Sequence, residues 1–64
     1  MKNHLSALIV DDEAELRKTV VSVLQNALPD FEFTIGEAGD GRQALETYKS
    51  GDWDLVLMDV RMPE

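Results

Sequence analysis

The sequence predicts an α/β domain built as half of a doubly wound parallel sheet, β-α-β-α-β with strand order 2-1-3. Three observations carry this expectation. Strand-like and helix-like segments alternate along all 64 residues, a pattern that implies right-handed crossovers between parallel strands. Two stretches, Ala7-Leu8-Ile9-Val10 and Leu55-Val56-Leu57-Met58-Asp59-Val60, are almost unbroken apolar runs, as expected of strands buried on both faces. The connections are short, which puts the first strand between the other two with its crossovers on opposite faces.

Each element has its own signal. Ala7 to Val10 forms the first strand. After Asp11-Asp12-Glu13, the residues Leu16, Val20, Val23, Leu24, Ala27 and Leu28 recur at helical spacing until Pro29 stops the pattern. Asp12 followed by Glu15 fits a capping-box-like helix start, with acids that complement the helix dipole. Phe31, Phe33 and Ile35 alternate with Glu32, Thr34 and Gly36, which reads as a half-exposed edge strand. Asp40 caps a second helix that carries Ala44, Leu45 and Tyr48 on one face, with Gly51 as its stop. Leu55 to Val60 is the third strand, apolar except for one carboxylate. Gly36, Gly39 and Gly41 follow the order G-x-x-G-x-G and read as turn glycines rather than a nucleotide loop. Trp53 reads as a packing residue, His4 as a solvated side chain, and Arg17, Lys18, Arg42 and Lys49 as solvated helix faces.

Composition narrows the function classes. Hydrophobic residues at 44% and charged residues at 30% describe one globular domain over residues 1–64. A net charge of −7 repels phosphate backbones and anionic membranes, so nucleic acid and membrane partners are not expected, while metal cations and basic protein surfaces are. No signal-peptide pattern or membrane-length apolar run is present, and a cytoplasmic setting follows as the default. With no cysteine and one histidine, neither a disulfide nor a zinc site reinforces the fold. Burial contributes about 95 kcal/mol and chain ordering costs about the same. Association is therefore the expected extra stabiliser, as a homodimer through the edge of the third strand or by exchange of segments.

The predicted topology brings carboxylates together. Asp11 and Asp12 end the first strand and Asp59 sits near the end of the third, on neighbouring strands about 4.8 Å apart. A carboxylate inside an apolar strand is costly unless a cation or hydrogen bonds compensate it. Three converging carboxylates repel one another, and a hard cation such as Mg²⁺, with oxygen ligands at about 2.1 Å, relieves that repulsion.

The run Leu8-Ile9-Val10-Asp11-Asp12-Glu13, the Asp40-Gly41 pair and the segment Asp54-Leu55-Val56-Leu57-Met58-Asp59-Val60-Arg61-Met62-Pro63-Glu64 together resemble the receiver domain of two-component response regulators. The resemblance implies a flavodoxin-like fold in which Asp59 is the phosphoacceptor. It also implies a Mg²⁺ site formed by Asp11, Asp12, Asp59 and the backbone carbonyl of Arg61, and a histidine kinase or phosphotransfer protein as partner. The implied role is that of a phosphoacceptor module rather than a turnover enzyme. Such receivers are similar to five-stranded domains, so these residues correspond to the N-terminal half, a truncated receiver lacking the Ser or Thr after strand 4 and the Lys after strand 5. Two rival readings come from other classes. A haloacid-dehalogenase-like phosphohydrolase also places an aspartate nucleophile and Mg²⁺ at strand ends, but looks for Asp-x-Asp where the acids here are adjacent. A self-assembling half-domain without phosphotransfer would need neither a metal nor a phosphodonor.

Overall fold

The computed structural model describes residues 3–58. Strand β1 spans Asn3–Val10, helix α1 Ala14–Ala27, strand β2 Phe31–Ala38, helix α2 Gly41–Lys49 and strand β3 Leu55–Met58. The three strands form one parallel sheet in the order β2-β1-β3, the predicted half of a doubly wound fold. Register pairs Val10 with Ala38 on one side and with Met58 on the other, so β1 and β2 end together and the last described residue of β3 lies level with them.

Ala7, Leu8, Ile9 and Val10 are all buried, as a strand sandwiched between two helical layers should be. Side chains alternate across the sheet, and this sorts the core into two faces. Leu8 and Val10 cluster with Ala38 of β2, Ala44 of α2 and Trp53. Ala7 and Ile9 take the opposite face, where α1 packs on β1 and β2. The side of α1 turned inward is Arg17, Val20, Val21, Leu24 and Leu28, whereas Leu16 and Val23 are exposed. The expected helical stripe is thus rotated by about one residue, because apolar spacing fixes a face only to within the width of the stripe.

Helix α2 starts as predicted. The Asp40 carboxylate accepts the backbone N–H of Gln43 at 2.9 Å, satisfying one of the helix's orphan donors. Asp40→Ala is expected to cost about 1 kcal/mol, read as a fall of about 4–8 °C in the thermal midpoint by circular dichroism. Gly51 does not act as a left-handed stop, since no described glycine has positive φ and Ser50 closes the helix by donating to the Thr47 carbonyl at 3.2 Å. Of the predicted inner face of α2, Ala44 is buried, but Leu45 and Tyr48 are each 55% exposed.

Two further expectations need correction. Gly36 lies within β2, as its place in the 31–36 alternation has it, and not in a turn as its grouping with Gly39 and Gly41 has it; it sits under the Trp53 ring, where a Cβ would stand 2.4 Å from the indole Cη2. Trp53 in turn is tethered by its Nε1–H, which donates to the Thr47 carbonyl at 3.0 Å. The described part of β3 is also less enclosed than its apolar run suggests, with Leu55 and Leu57 half-buried and Val56 and Met58 exposed. Among the described residues no helix is long and apolar enough to cross a membrane.

Candidate functional site

In open parallel sheets, ligands bind outside the carboxyl ends of the strands where the chain reverses its direction of winding. Here that point lies between β1 and β3, and the loop leaving β1 is Asp11-Asp12-Glu13. Asp11 prolongs the β1–β2 ladder by donating its N–H to the Ala38 carbonyl at 3.1 Å. Its side chain is buried, 8% exposed, and its Oδ1 accepts the backbone N–H of Glu13 at 2.9 Å. This contact from a side chain to the backbone two residues on is an Asx-type turn, and it swings the chain from the strand into α1.

The capping-box expectation for Asp12 and Glu15 fails for the same reason. Glu13 is the residue before α1 and no side chain caps that end. Asp11 has already taken the Glu13 N–H, and Asp12 stands exposed beside it. Relieved of capping, the Asp12 carboxylate is available to a ligand at the strand edge.

The structure therefore brings Asp11 and Asp12 together at the predicted edge. Asp59 and Arg61 lie outside the described residues; Met58, which precedes Asp59, pairs with Val10, which precedes Asp11. Among the described residues no group of three or more acidic, histidine or cysteine side chains is arranged to hold a metal ion. The donors present fit Mg²⁺ in kind, being adjacent hard carboxylate oxygens, one preoriented by a backbone hydrogen bond and one open to solvent.

At this edge the structure departs from the expectation of a solvated helix charge. Arg17 is only 18% exposed at its side chain, and its Nε–H donates to Glu37 Oε1 of β2 at 2.9 Å. Its Nη1–H donates to the Asp11 carbonyl. The signal lies in the strand order, which sends the first turn of α1 and the last residues of β2 to the same edge. Opposite charges at these two ends are thereby paired.

The chain matches known proteins across this region. The profile of the response regulator receiver domain matches residues 7–64. The chain is 46% identical over 57 residues to chemotaxis protein CheY of Bacillus subtilis, covering 89% of this chain and 45% of that protein. It is 43% identical over 56 residues to transcriptional regulatory protein PdtaR of Mycobacterium tuberculosis, covering 88% of this chain and 26% of that protein. It is also 42% identical over 59 residues to protein-glutamate methylesterase/protein-glutamine glutaminase 1 of Methanosarcina acetivorans, covering 92% of this chain and 16% of that protein. The chain thus spans less than half the length of each of these relatives.

Proposed function

We propose that this chain, which belongs to the response regulator receiver domain family, carries the phosphoacceptor site of a cytoplasmic two-component signalling protein, with Asp59 as the acceptor. The observation that carries the reading is the family match through residues 7–64, joined to the placement of Asp11 and Asp12 at the carboxyl end of the central strand. Asp11, Asp12, Asp59 and the Arg61 carbonyl would hold the Mg²⁺. When bound, the ion supplies charge neutralisation to the phosphoryl group in transfer.

The chain's own contribution is a nucleophile and its orientation. A carboxylate oxygen of Asp59 attacks the phosphorus of a phosphohistidine in line; an O–P bond forms, the N–P bond breaks, and its electron pair leaves on the imidazole nitrogen. The product is an aspartyl phosphate. A phosphodonor of this kind implies a histidine kinase or phosphotransfer protein as partner. A second copy of the chain, paired through the outer edge of β3 or by segment exchange, is the other partner we propose.

Exposure to acetyl phosphate and Mg²⁺, followed by intact-mass measurement, tests the reading. One added phosphoryl group is expected, lost in Asp59→Asn and lost when the metal is chelated. A phosphoryl group that persists in Asp59→Asn, or steady release of phosphate from a phosphomonoester, would overturn it.

A further inference from the structure

We infer that Arg17 is a positioning residue for the cation site, fastening the Asp11 backbone to the end of β2 so that the Asp11 and Asp12 carboxylates are held in place. This rests on the proposed function above but concerns a residue to which that function gives no role. Three polar groups of Asp11 are committed: its N–H goes to the Ala38 carbonyl, its carbonyl takes the Arg17 Nη1–H, and its Oδ1 takes the Glu13 N–H. Arg17 is the member of this set that reaches across from α1, and its second bond, to Glu37, anchors it on β2.

The planar fork of arginine makes both bonds from one rigid group; a lysine ammonium in its place is a single point charge on a flexible stem. Geometry and charge act here in opposite directions. A positive group beside a cation site weakens metal binding by repulsion. Holding two mutually repelling carboxylates in the binding arrangement strengthens it, because less freedom remains to be lost when the ion arrives. Groups hydrogen-bonded directly to metal ligands change affinity by about 10–100-fold, and Arg17, which acts through the backbone of Asp11, belongs at the lower end of that range.

The sign of the change therefore decides the matter. Mg²⁺ would be titrated into the 64-residue chain while the amide shifts of Asp11, Asp12 and Glu13 are followed by NMR. Arg17→Met and Arg17→Lys are each expected to bind about 10-fold more weakly than the unaltered chain, with a smaller loss in Glu37→Gln, which keeps an acceptor oxygen. In the metal-free chain the Glu13 amide should exchange with solvent faster in both Arg17 variants, a readout that needs no metal. Equal or tighter Mg²⁺ binding in the Arg17 variants, or unchanged Glu13 exchange, overturns the inference and leaves the proposed function standing. An unaltered chain whose Asp11–Glu13 amides ignore Mg²⁺ overturns the cation site itself and this inference with it. Should Arg17→Met fail to fold, judged by Trp53 fluorescence, Arg17→Lys and Glu37→Gln carry the comparison.

Discussion

Gly36→Ala is expected to unfold most of the chain at room temperature. A Cβ at this position would lie 2.4 Å from Trp53 Cη2, a separation real Cβ atoms essentially never show, and 3.1 Å from both Cζ2 and Cζ3. The obstacle is a ring packed against the Leu8, Val10, Ala38 and Ala44 cluster, not the mobile tip of a long side chain. To make room the indole must tilt, stretching its hydrogen bond to the Thr47 carbonyl, worth about 1 kcal/mol. Overpacking of this kind costs about 1–3 kcal/mol more, in a chain whose burial and ordering terms nearly cancel. Gly39→Ala is the control, because its Cβ would meet only the flexible ends of Gln43 and Arg17 at 3.4 and 3.6 Å. Far-ultraviolet circular dichroism of the two variants distinguishes them: Gly39→Ala near the unaltered chain, Gly36→Ala largely without helix signal. Trp53→Leu should return part of the loss in the double variant, since residues in contact do not add independently. A Gly36→Ala chain that melts like the original would show that the ring yields freely.

The outcome at Gly36 marks how far the sequence could be read. Local signals were enough for the elements and their order. The four-residue run from Ala7 to Val10, the alternation of Phe31, Phe33 and Ile35, and the Asp40 cap each act within a few residues, and the structure has all three. Two kinds of misreading remain: at helix ends, where Asp11 takes the amide expected of the Asp12–Glu15 box and Ser50 rather than Gly51 closes α2, and where the partner is distant in sequence. Gly36 meets Trp53, and Arg17 meets Glu37, across whole elements of the fold. A glycine between strand residues looks like a turn until an indole is known to lie over it. An arginine on an amphipathic helix looks solvated until the neighbouring strand's acid is placed beside it. The Asp11-Asp12 pair lies between these cases: its position at the strand edge was legible, but not the division of labour, in which Asp11 turns the chain and Asp12 stays open.

The 64-residue chain is expected to melt at a temperature that climbs with its own concentration. Among the described residues β3 pairs inward with Ala7 to Val10 and has no strand on its outer side, which leaves a row of backbone donors and acceptors open to another chain. Beside that edge runs an apolar groove of about 400 Å³ lined by Leu8, Ala44, Leu45, Tyr48, Val56 and Met58. A second copy meets both needs at once. Two-fold pairing of β3 with its copy is antiparallel, continues the sheet to six strands and brings the two grooves to one isologous interface. Each tenfold rise in concentration adds about 1.4 kcal/mol to a dimer, which at the entropy of unfolding two such chains raises the midpoint by about 5 °C. Charge opposes the pairing, since each copy carries −7, so added salt should raise the midpoint further by screening. Val56→Lys places a charge in the groove beside the edge and is expected to dissociate and unfold the chain together, seen as loss of the dimer in sedimentation and of the helix signal at one concentration. Segment exchange would give the same concentration dependence but survive Val56→Lys more readily, because its contacts are those within a single chain. A sharply folded monomer in sedimentation, with a midpoint indifferent to concentration, rules out self-association by either route.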